Sequence, residues 1–239
     1  MRPVGEAPGA PPAEAKVVPF GDAAVLLILD EVVDPRLAAR AQTIAAAVEA
    51  ARADQPGLGR AVPAHASVLV PFDPLAIELE AASKIVERCA RDARRDDPAG
   101  DDRRDEVPMR QTLEIHVRYG GENGPDLDEV ADVHELRPSD VVEIHADTMY
   151  TVLFLGFAPG FAYLGGLPTR LATPRRATPR PRVPAGSVGI AGEQTGVYPL
   201  AMPGGWQLIG RTDATLWDPT SSSPASLHPG DHVRFVPER

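Results

Sequence analysis

Apolar positions in the first third of the chain follow two spacings in turn. Residues 23–29 form a continuous apolar run rich in Val, Leu and Ile, which predicts a strand. The next apolar residues recur three or four positions apart, as on one face of a helix: Leu37, Ala41, Ile44 and Val48. Asp34 and Pro35 stand directly before this stripe and suit the cap and the first turn of the helix.

The same order of elements repeats once. Residues 66–72 predict a second strand, and Asp73-Pro74 predicts the start of a second helix. The apolar stripe of that helix comprises Leu75, Leu79, Ala82, Val86 and Cys89. Two strand–helix pairs within about 75 residues predict a small open sheet with helices on one face, ferredoxin-like in size. We assign this α/β domain to residues 17–93.

Two polar segments border the first domain. Residues 1–16 are rich in proline and lack an apolar core, so they are predicted to form a disordered tail. Residues 94–108, RRDDPAGDDRRDEVP, consist mainly of charge, glycine and proline and cannot bury themselves. They predict a charged linker, which leaves residues 109–239 for a second domain.

The second domain starts with regular patterns and then changes character. Apolar and polar residues alternate over 113–117, which predicts a half-buried strand. Short helices are predicted near 126–133 and 139–145, with Ser139 as a cap, and a strand at 150–157. Beyond it, Gly and Pro recur every few residues between short apolar runs at 188–191, 206–209 and 232–236. This pattern predicts a β-barrel or a sandwich with long loops.

Composition narrows the function classes. The 239 residues carry a net charge of −10, which argues against nucleic acid as a general partner. The run at 23–29 is far shorter than the roughly 20 residues of a membrane span, so a cytoplasmic protein without a membrane partner is predicted. The single cysteine, Cys89, excludes a disulfide within the chain and a cysteine-based zinc site. Both lysines, Lys16 and Lys84, precede the second domain, so a catalytic lysine cannot lie there.

Aromatic residues concentrate in glycine- and proline-rich segments of the second domain. Aromatic side chains on rigid turns commonly line a pocket or an interface, and capping of the barrel core is the alternative. The candidates for a pocket or interface wall are Phe157, Phe161, Tyr163, Pro203 and Trp206.

An arginine-rich segment follows the first aromatic cluster. Residues 170–184 hold no acid and five arginines: Arg170, Arg175, Arg176, Arg180 and Arg182. Prolines keep the segment extended, and guanidinium groups suit the oxygens of carboxylates and phosphates. We predict an anion site for a nucleotide or an organic acid. A solvated loop, or pairing with the acidic first domain or with a partner, are the alternatives.

The sequence lacks the residues that several common kinds of catalytic or binding site require. The chain has no Gly-Lys phosphate loop and no histidine spacing typical of a metal site, so no metal is predicted. Ser187 imitates a nucleophile turn only loosely, because the first glycine is missing and no helix is predicted after it. His145 ends a predicted helix, where interaction with the helix dipole is expected and a place in the active site is the alternative.

Five ordered motifs of the second domain resemble one protein family. They are residues 156–168 (GFAPGFAYLGGLP), 172–180 (ATPRRATPR), 183–188 (VPAGSV), 194–199 (QTGVYP) and 203–206 (PGGW). From residue 17 to its end, the chain resembles the family that includes the B subunit of 5-oxoprolinase, allophanate hydrolase subunit 1 and the kinase inhibitor KipI.

This resemblance implies an α+β fold, with a ferredoxin-like first domain and a cyclophilin-like β-barrel as the second. It also implies a homologous partner, the C subunit, with which the chain uses ATP, with or without Mg²⁺, to activate 5-oxoproline. A separate A subunit then hydrolyses the activated substrate to glutamate, so the chain alone is expected to be inactive. No catalytic residue is assigned, and the candidate substrate and ATP contacts are Arg175, Arg182, Gln194, Tyr198 and His145.

Two other functions remain open within the resemblance. One is a binding module that inhibits a histidine kinase, as KipI does. The other is a carboxyltransferase component of the allophanate hydrolase or urea carboxylase type, which works with biotin. The Ser-Ser-Lys chemistry of true allophanate hydrolases cannot be placed in the second domain, because that domain lacks lysine.

Overall fold

The computed structural model describes residues 15–30, 34–95 and 111–238. The chain divides into two compact units, residues 1–100 and 101–239. Of the predicted tail, residues 1–14 lie outside the described residues, and Lys16 is already the first residue of a strand. Most of the predicted linker also lies outside them, and the second helix runs to Arg95.

The first unit contains a four-stranded antiparallel sheet and two helices. The strands are β1 (Lys16–Pro19), β2 (Ala24–Ile28), β3 (Val62–Pro63) and β4 (Ser67–Pro71), in the order β1-β2-β4-β3. The helices are α1 (Pro35–Ala51) and α2 (Leu79–Arg95). Alternate residues of the central strands, Val25, Leu27, Val68 and Val70, share one core with the apolar faces of both helices. The predicted strand–helix–strand–helix order is therefore present, with β1 and β3 added at the edges of the sheet.

Of the two helix starts predicted at Asp-Pro pairs in this unit, one is confirmed and one is wrong. Asp34 caps α1 as predicted, because its carboxylate accepts the Arg36 N–H at 2.7 Å. The predicted helix start at Asp73 is wrong, since α2 begins only at Leu79. Asp73 accepts the Leu75 N–H at 2.9 Å within a turn, and Leu75 is 96% exposed instead of lying on the apolar face.

The second unit contains a closed seven-stranded barrel. Its strands are β5 (Thr112–Tyr119), β6 (Met149–Leu155), β7 (Ala162–Gly165), β9 (Ser187–Ala191), β10 (Gln194–Val197), β12 (Gln207–Arg211) and β13 (His232–Pro237). Their order is β10-β7-β6-β13-β5-β12-β9, with β13 parallel to β5. A separate two-stranded sheet pairs β8 (Arg180–Val183) with β11 (Met202–Gly204). The helices are α3 (Leu127–Val133) and α4 (Pro138–Ala146).

The barrel alternative of the sequence pattern is confirmed, and one helix start differs. The helix α4 begins after Arg137, not at the predicted cap Ser139. Pro138 occupies the first turn, and Asp140 accepts the backbone N–H of Arg137 at 3.1 Å, which satisfies one donor at this helix end.

A second apolar cluster lies beside the barrel core in this unit. It consists of Phe161, Val183, Ala191, Tyr198, Trp206 and Leu208. Members of the small β8–β11 sheet and of the turn after β6 take part in it, so the aromatic motif is anchored on several elements at once. None of the helices in the described residues has the length and apolarity that a membrane crossing requires.

Candidate functional site

An open cleft of about 270 Å³ lies on the second unit beside this aromatic cluster. Its lining residues are Phe157, Tyr163, Arg175, Pro179, Tyr198, Pro203, Gly204, Gly205 and Trp206. The fold thus brings together six residues that the sequence predicts for a site or its wall. Another cavity, of about 340 Å³ between α4 and β13, contains none of the predicted site residues.

Phe161 fixes the aromatic walls of the cleft from behind. Its ring is buried and meets four other rings edge-on at centroid distances of 5.0–5.6 Å: Phe157, Tyr163, Tyr198 and Trp206. Edge-to-face pairs at these distances are favourable beyond the area they bury. The cleft walls are therefore held by a packed aromatic centre and not by loops alone.

Phe157 occupies the edge of the cleft in an unusual conformation. Its backbone φ is 66°, in the left-handed region, and the Ala158 N–H donates to the Gly156 carbonyl at 2.7 Å across it. Such a conformation costs a side-chain-bearing residue about 1–2 kcal/mol. Its ring is nevertheless 65% exposed. An exposed apolar ring held at the expense of backbone strain is typical of a residue that contacts a ligand or a partner.

Arg175 provides the positive charge of the cleft. Burial raises the pKa of Tyr198, while the Trp206 N–H and the guanidinium of Arg175 oppose the shift. Burial likewise raises the pKa of Tyr163, again opposed by Arg175. Both phenols are therefore protonated at neutral pH and lie close to the Arg175 charge. A guanidinium and phenol groups among aromatic rings suit the carboxylate of a small molecule.

Two other arginines of the segment are neutralised inside the same unit. Arg176 Nη1 and Arg180 Nη2 donate to one carboxylate oxygen of Asp126, at 2.9 and 2.7 Å. Glu129 lies 3.6 Å from Arg176. Within residues 111–238, the segment's ion pairs are made by Arg176 and Arg180, and Arg175 makes none.

Comparison with known proteins decides the family. The model of the carboxyltransferase domain, subdomain C and D, matches residues 15–227. The chain belongs to this carboxyltransferase domain family. A Bacillus subtilis (strain 168) protein, named as the B subunit of 5-oxoprolinase, is 41% identical over 220 residues, which are 91% of this chain and 90% of the relative.

Another relative with the same name, from Escherichia coli O157:H7, is 60% identical over 55% of this chain and 61% of its own length. Among solved structures, TTHA0988 has a TM-score of 0.72 and 36% identity, and the match covers 91% of this chain but 40% of that one. The Kluyveromyces lactis urea carboxylase has a TM-score of 0.79 at 23% identity, over 94% of this chain and 22% of that one. This last likeness concerns the fold alone.

Three of the predicted substrate or ATP contacts do not line the cleft. Arg182 is exposed on β8 and does not line it. Gln194 is buried in β10, also outside the lining. His145 is completely buried in the second unit.

His145 makes a hydrogen bond through each ring nitrogen. The Thr195 hydroxyl donates to the Gly189 carbonyl at 3.0 Å, so it accepts from His145 Nε2–H at 2.9 Å. The other nitrogen, Nδ1, then accepts from the Tyr119 hydroxyl at 2.8 Å. Burial lowers the pKa of His145 to about 3. The ring is therefore neutral and does not provide the cation that a helix C-terminus favours.

Two residues of the site were missed by the sequence reasoning. Asp126 lies 50 positions before Arg176 and resembles an ordinary helix cap, so no local signal indicates its pairing. Gly204 belongs to the PGGW motif, and a side chain there would collide with the Tyr198 ring. The glycine in that motif was the available signal. In the described part of the chain, no group of three or more His, Cys, Asp or Glu side chains could hold a metal ion.

Proposed function

We propose that this chain is the B subunit of an ATP-dependent 5-oxoprolinase. It acts with a homologous C subunit to activate 5-oxoproline, which the A subunit hydrolyses to glutamate. Two relatives that carry the B-subunit name, 41% and 60% identical to this chain, support the proposal. The structural observation that carries it is the cleft that Arg175 lines together with protonated Tyr163 and Tyr198, where Arg175 has no carboxylate partner among the described residues.

The chemistry of 5-oxoproline matches this cleft. Its carboxylate pairs with Arg175, and its lactam group accepts a hydrogen bond from the Tyr198 phenol. The faces of the small ring lie against Phe157 and Trp206. Known ligand pockets run from roughly 300 to 1,000 Å³. A cleft of about 270 Å³ suits such a small acid better than a whole nucleotide, so we propose that the C subunit supplies most of the ATP site, with or without Mg²⁺.

The lining of the cleft also fits a protein that is inactive without its partners. Among the residues that the structure describes, no Ser, Cys, His, Lys or carboxylate side chain lines the cleft. Phosphoryl transfer to an amide oxygen depends mainly on positioning and charge neutralisation, which Arg175 and the phenols provide. The water that opens the ring needs a base, and we assign that step to the A subunit.

The finer fold assignment belongs to the same proposal. We propose a ferredoxin-like first unit, because β2, α1, β3, β4 and α2 follow one another with β2 and β4 at the centre of the sheet. We propose a cyclophilin-like barrel for the second unit. We also propose a cytoplasmic location and a linker within residues 94–108 that begins after the end of α2 at Arg95.

Reconstitution tests the function. The purified B, C and A subunits are mixed with ATP and 5-oxoproline, and glutamate is measured, with ATP and each protein omitted in turn. We expect glutamate only from the complete mixture. No glutamate above the background of the A protein on its own would reject the proposal.

An inhibitor of a histidine kinase is the second candidate function. The exposed ring of Phe157 favours it, since a docking module presents apolar groups to its partner. Affinity capture with this chain separates the two candidates. Recovery of a histidine kinase, in place of a homologue of the C subunit, would favour the inhibitor. The chain should then inhibit that kinase without hydrolysing ATP itself.

A further inference from the structure

Asp126 stands at the start of α3 but does not cap it. Aspartate is a preferred N-cap residue, yet its side chain makes no bond to the first turn of this helix. Its backbone N–H donates to the Leu208 carbonyl at 2.9 Å, and its Oδ2 accepts the Leu208 N–H at 2.7 Å. Asp126 is thus fixed to β12 through both main chain and side chain.

The other carboxylate oxygen of Asp126 holds the arginine segment. Oδ1 accepts from Arg176 and Arg180, and Asp126 is only 3% exposed. Arg176 Nε and Arg180 Nη1 are buried and have no hydrogen-bond partner in the described part of the chain. Asp126 therefore supplies the main compensation for two partly buried cations, because Glu129 is more distant and largely exposed.

The main chain on both sides of Arg175 is held by Gly205, which lies between β11 and β12, and by Gln207 of β12, the strand that Asp126 anchors. The Pro174 carbonyl accepts from Gln207 Nε2 at 3.2 Å, and the Arg176 N–H donates to the Gly205 carbonyl at 2.8 Å. Gln207 is the first residue of β12, next to the Leu208 that Asp126 binds. Movement of the segment away from β12 would displace Arg175 from the cleft.

We infer that Asp126 is a positioning residue for Arg175. It ties the arginine segment to β12, and its carboxylate pairs with both Arg176 and Arg180. Arg175 is then the guanidinium that remains available to the carboxylate of a ligand in the cleft. The identity of that ligand rests on the proposed function, whereas the anchoring of the segment does not.

Limited digestion with trypsin tests the anchoring without any substrate. The proteins are wild type, Asp126→Asn and the matched control Glu129→Gln, and cleavage after Arg175 and Arg176 is followed by mass spectrometry. Circular dichroism establishes that each is folded. We expect cleavage of Asp126→Asn to be about tenfold faster, since protease attack follows local opening. Glu129→Gln should match wild type.

Arg180→Gln provides a second route if Asp126→Asn does not fold. It breaks one contact from the side of the segment and leaves the buried carboxylate paired with Arg176. Cleavage at the same sites should rise by a smaller factor. Equal protection of wild type and the folded Asp126 or Arg180 variant would overturn the inference.

A double-mutant cycle tests the effect on the site. The KM for 5-oxoproline is measured in the reconstituted enzyme for Asp126→Asn, Arg175→Ala and the combined variant. Asp126→Asn should raise KM about tenfold, with kcat within about twofold of wild type. In the Arg175→Ala background the same change should raise KM by less than about twofold.

Independent effects in the cycle would overturn the inference, because a residue that acts through Arg175 has nothing left to position once Arg175 is gone. If the wild-type mixture makes no glutamate, the proposed function fails. The trypsin comparison still decides whether Asp126 anchors the segment.

Discussion

His145 and Arg175 are two polar residues among aromatic rings in the same unit, and their surroundings are opposite. His145 is completely buried, neutral and hydrogen-bonded at both nitrogens, and it stacks on Phe235 at 4.5 Å. Arg175 is charged, lies in an open cleft and makes no ion pair in the described second unit.

This difference in surroundings indicates which of the two residues has a structural role and which has a functional one. A buried polar group with all its bonds satisfied stabilises one arrangement of the core and leaves nothing for a ligand. A cation that lies among packed rings and phenols and has no carboxylate partner can bind an anion from outside the chain. The histidine that the sequence offered as a site candidate is thus structural in our account, and the arginine is functional.

The largest expected effect is a loss of stability on replacing His145, the buried member of this pair. His145→Ala removes the ring that bonds the Tyr119 and Thr195 hydroxyls and opens a cavity, so the free energy of unfolding should fall by about 3–5 kcal/mol. His116→Ala, at an exposed histidine of β5, is the matched control and should change stability by less than about 0.5 kcal/mol. Denaturant titration measures both. Equal losses would show that the His145 network is not what stabilises the barrel.

The pH dependence of stability sharpens the same point. The pKa of His145 is about 3 in the folded chain and about 6.5 when unfolded, so only the unfolded state gains a proton as the pH falls below 6.5. Stability is fully present above that value. It should fall by up to about 1.4 kcal/mol per pH unit between pH 6.5 and 5, where most carboxyl groups are still ionised.

The variant His145→Gln can still donate and accept hydrogen bonds but does not titrate. Its unfolding free energy should therefore be nearly constant between pH 6.5 and 5. Equal slopes for wild type and His145→Gln would contradict the assignment of a neutral, buried His145.

The smallest expected effect concerns Phe157, which lines the same open cleft as Arg175. Glycine usually lowers stability relative to alanine, but at a positive φ the order reverses. Phe157→Gly should therefore be about 1 kcal/mol more stable than Phe157→Ala. Both variants lose the ring and should raise KM for 5-oxoproline to a similar extent. A more stable alanine variant would remove the case for backbone strain, and unchanged KM values would remove the ring from the site.

Sequence patterns predicted the regular elements well where local signals agree with the tertiary contacts. The two Asp-Pro pairs show the limit of this. Asp34 and Asp73 accept the same type of bond, from the N–H two residues later, yet only the first opens a helix directly. After Asp73 the chain turns against Gly57, where Ala76 and Ile77 pack closely, and this contact is not visible in local sequence.

The site was predicted in part for a similar reason. Glycine-rich turns and arginine density located the cleft walls and the charged segment, because composition alone carries that signal. The choice of Arg175 over Arg182 needed the structure, because both residues are exposed and only Arg175 lines the cleft. The role of Asp126 depends on contacts across some 50 residues and has no local pattern.

The most direct test of the account is the KM for 5-oxoproline of the reconstituted enzyme carrying Arg175→Ala, compared with Arg182→Ala. Loss of a charge-assisted pair in the cleft should raise KM about 100-fold for the first variant, and the second should stay within about twofold of wild type. Equal KM values for Arg175→Ala and wild type, in an enzyme that makes glutamate, would contradict the assignment of this cleft as the substrate site.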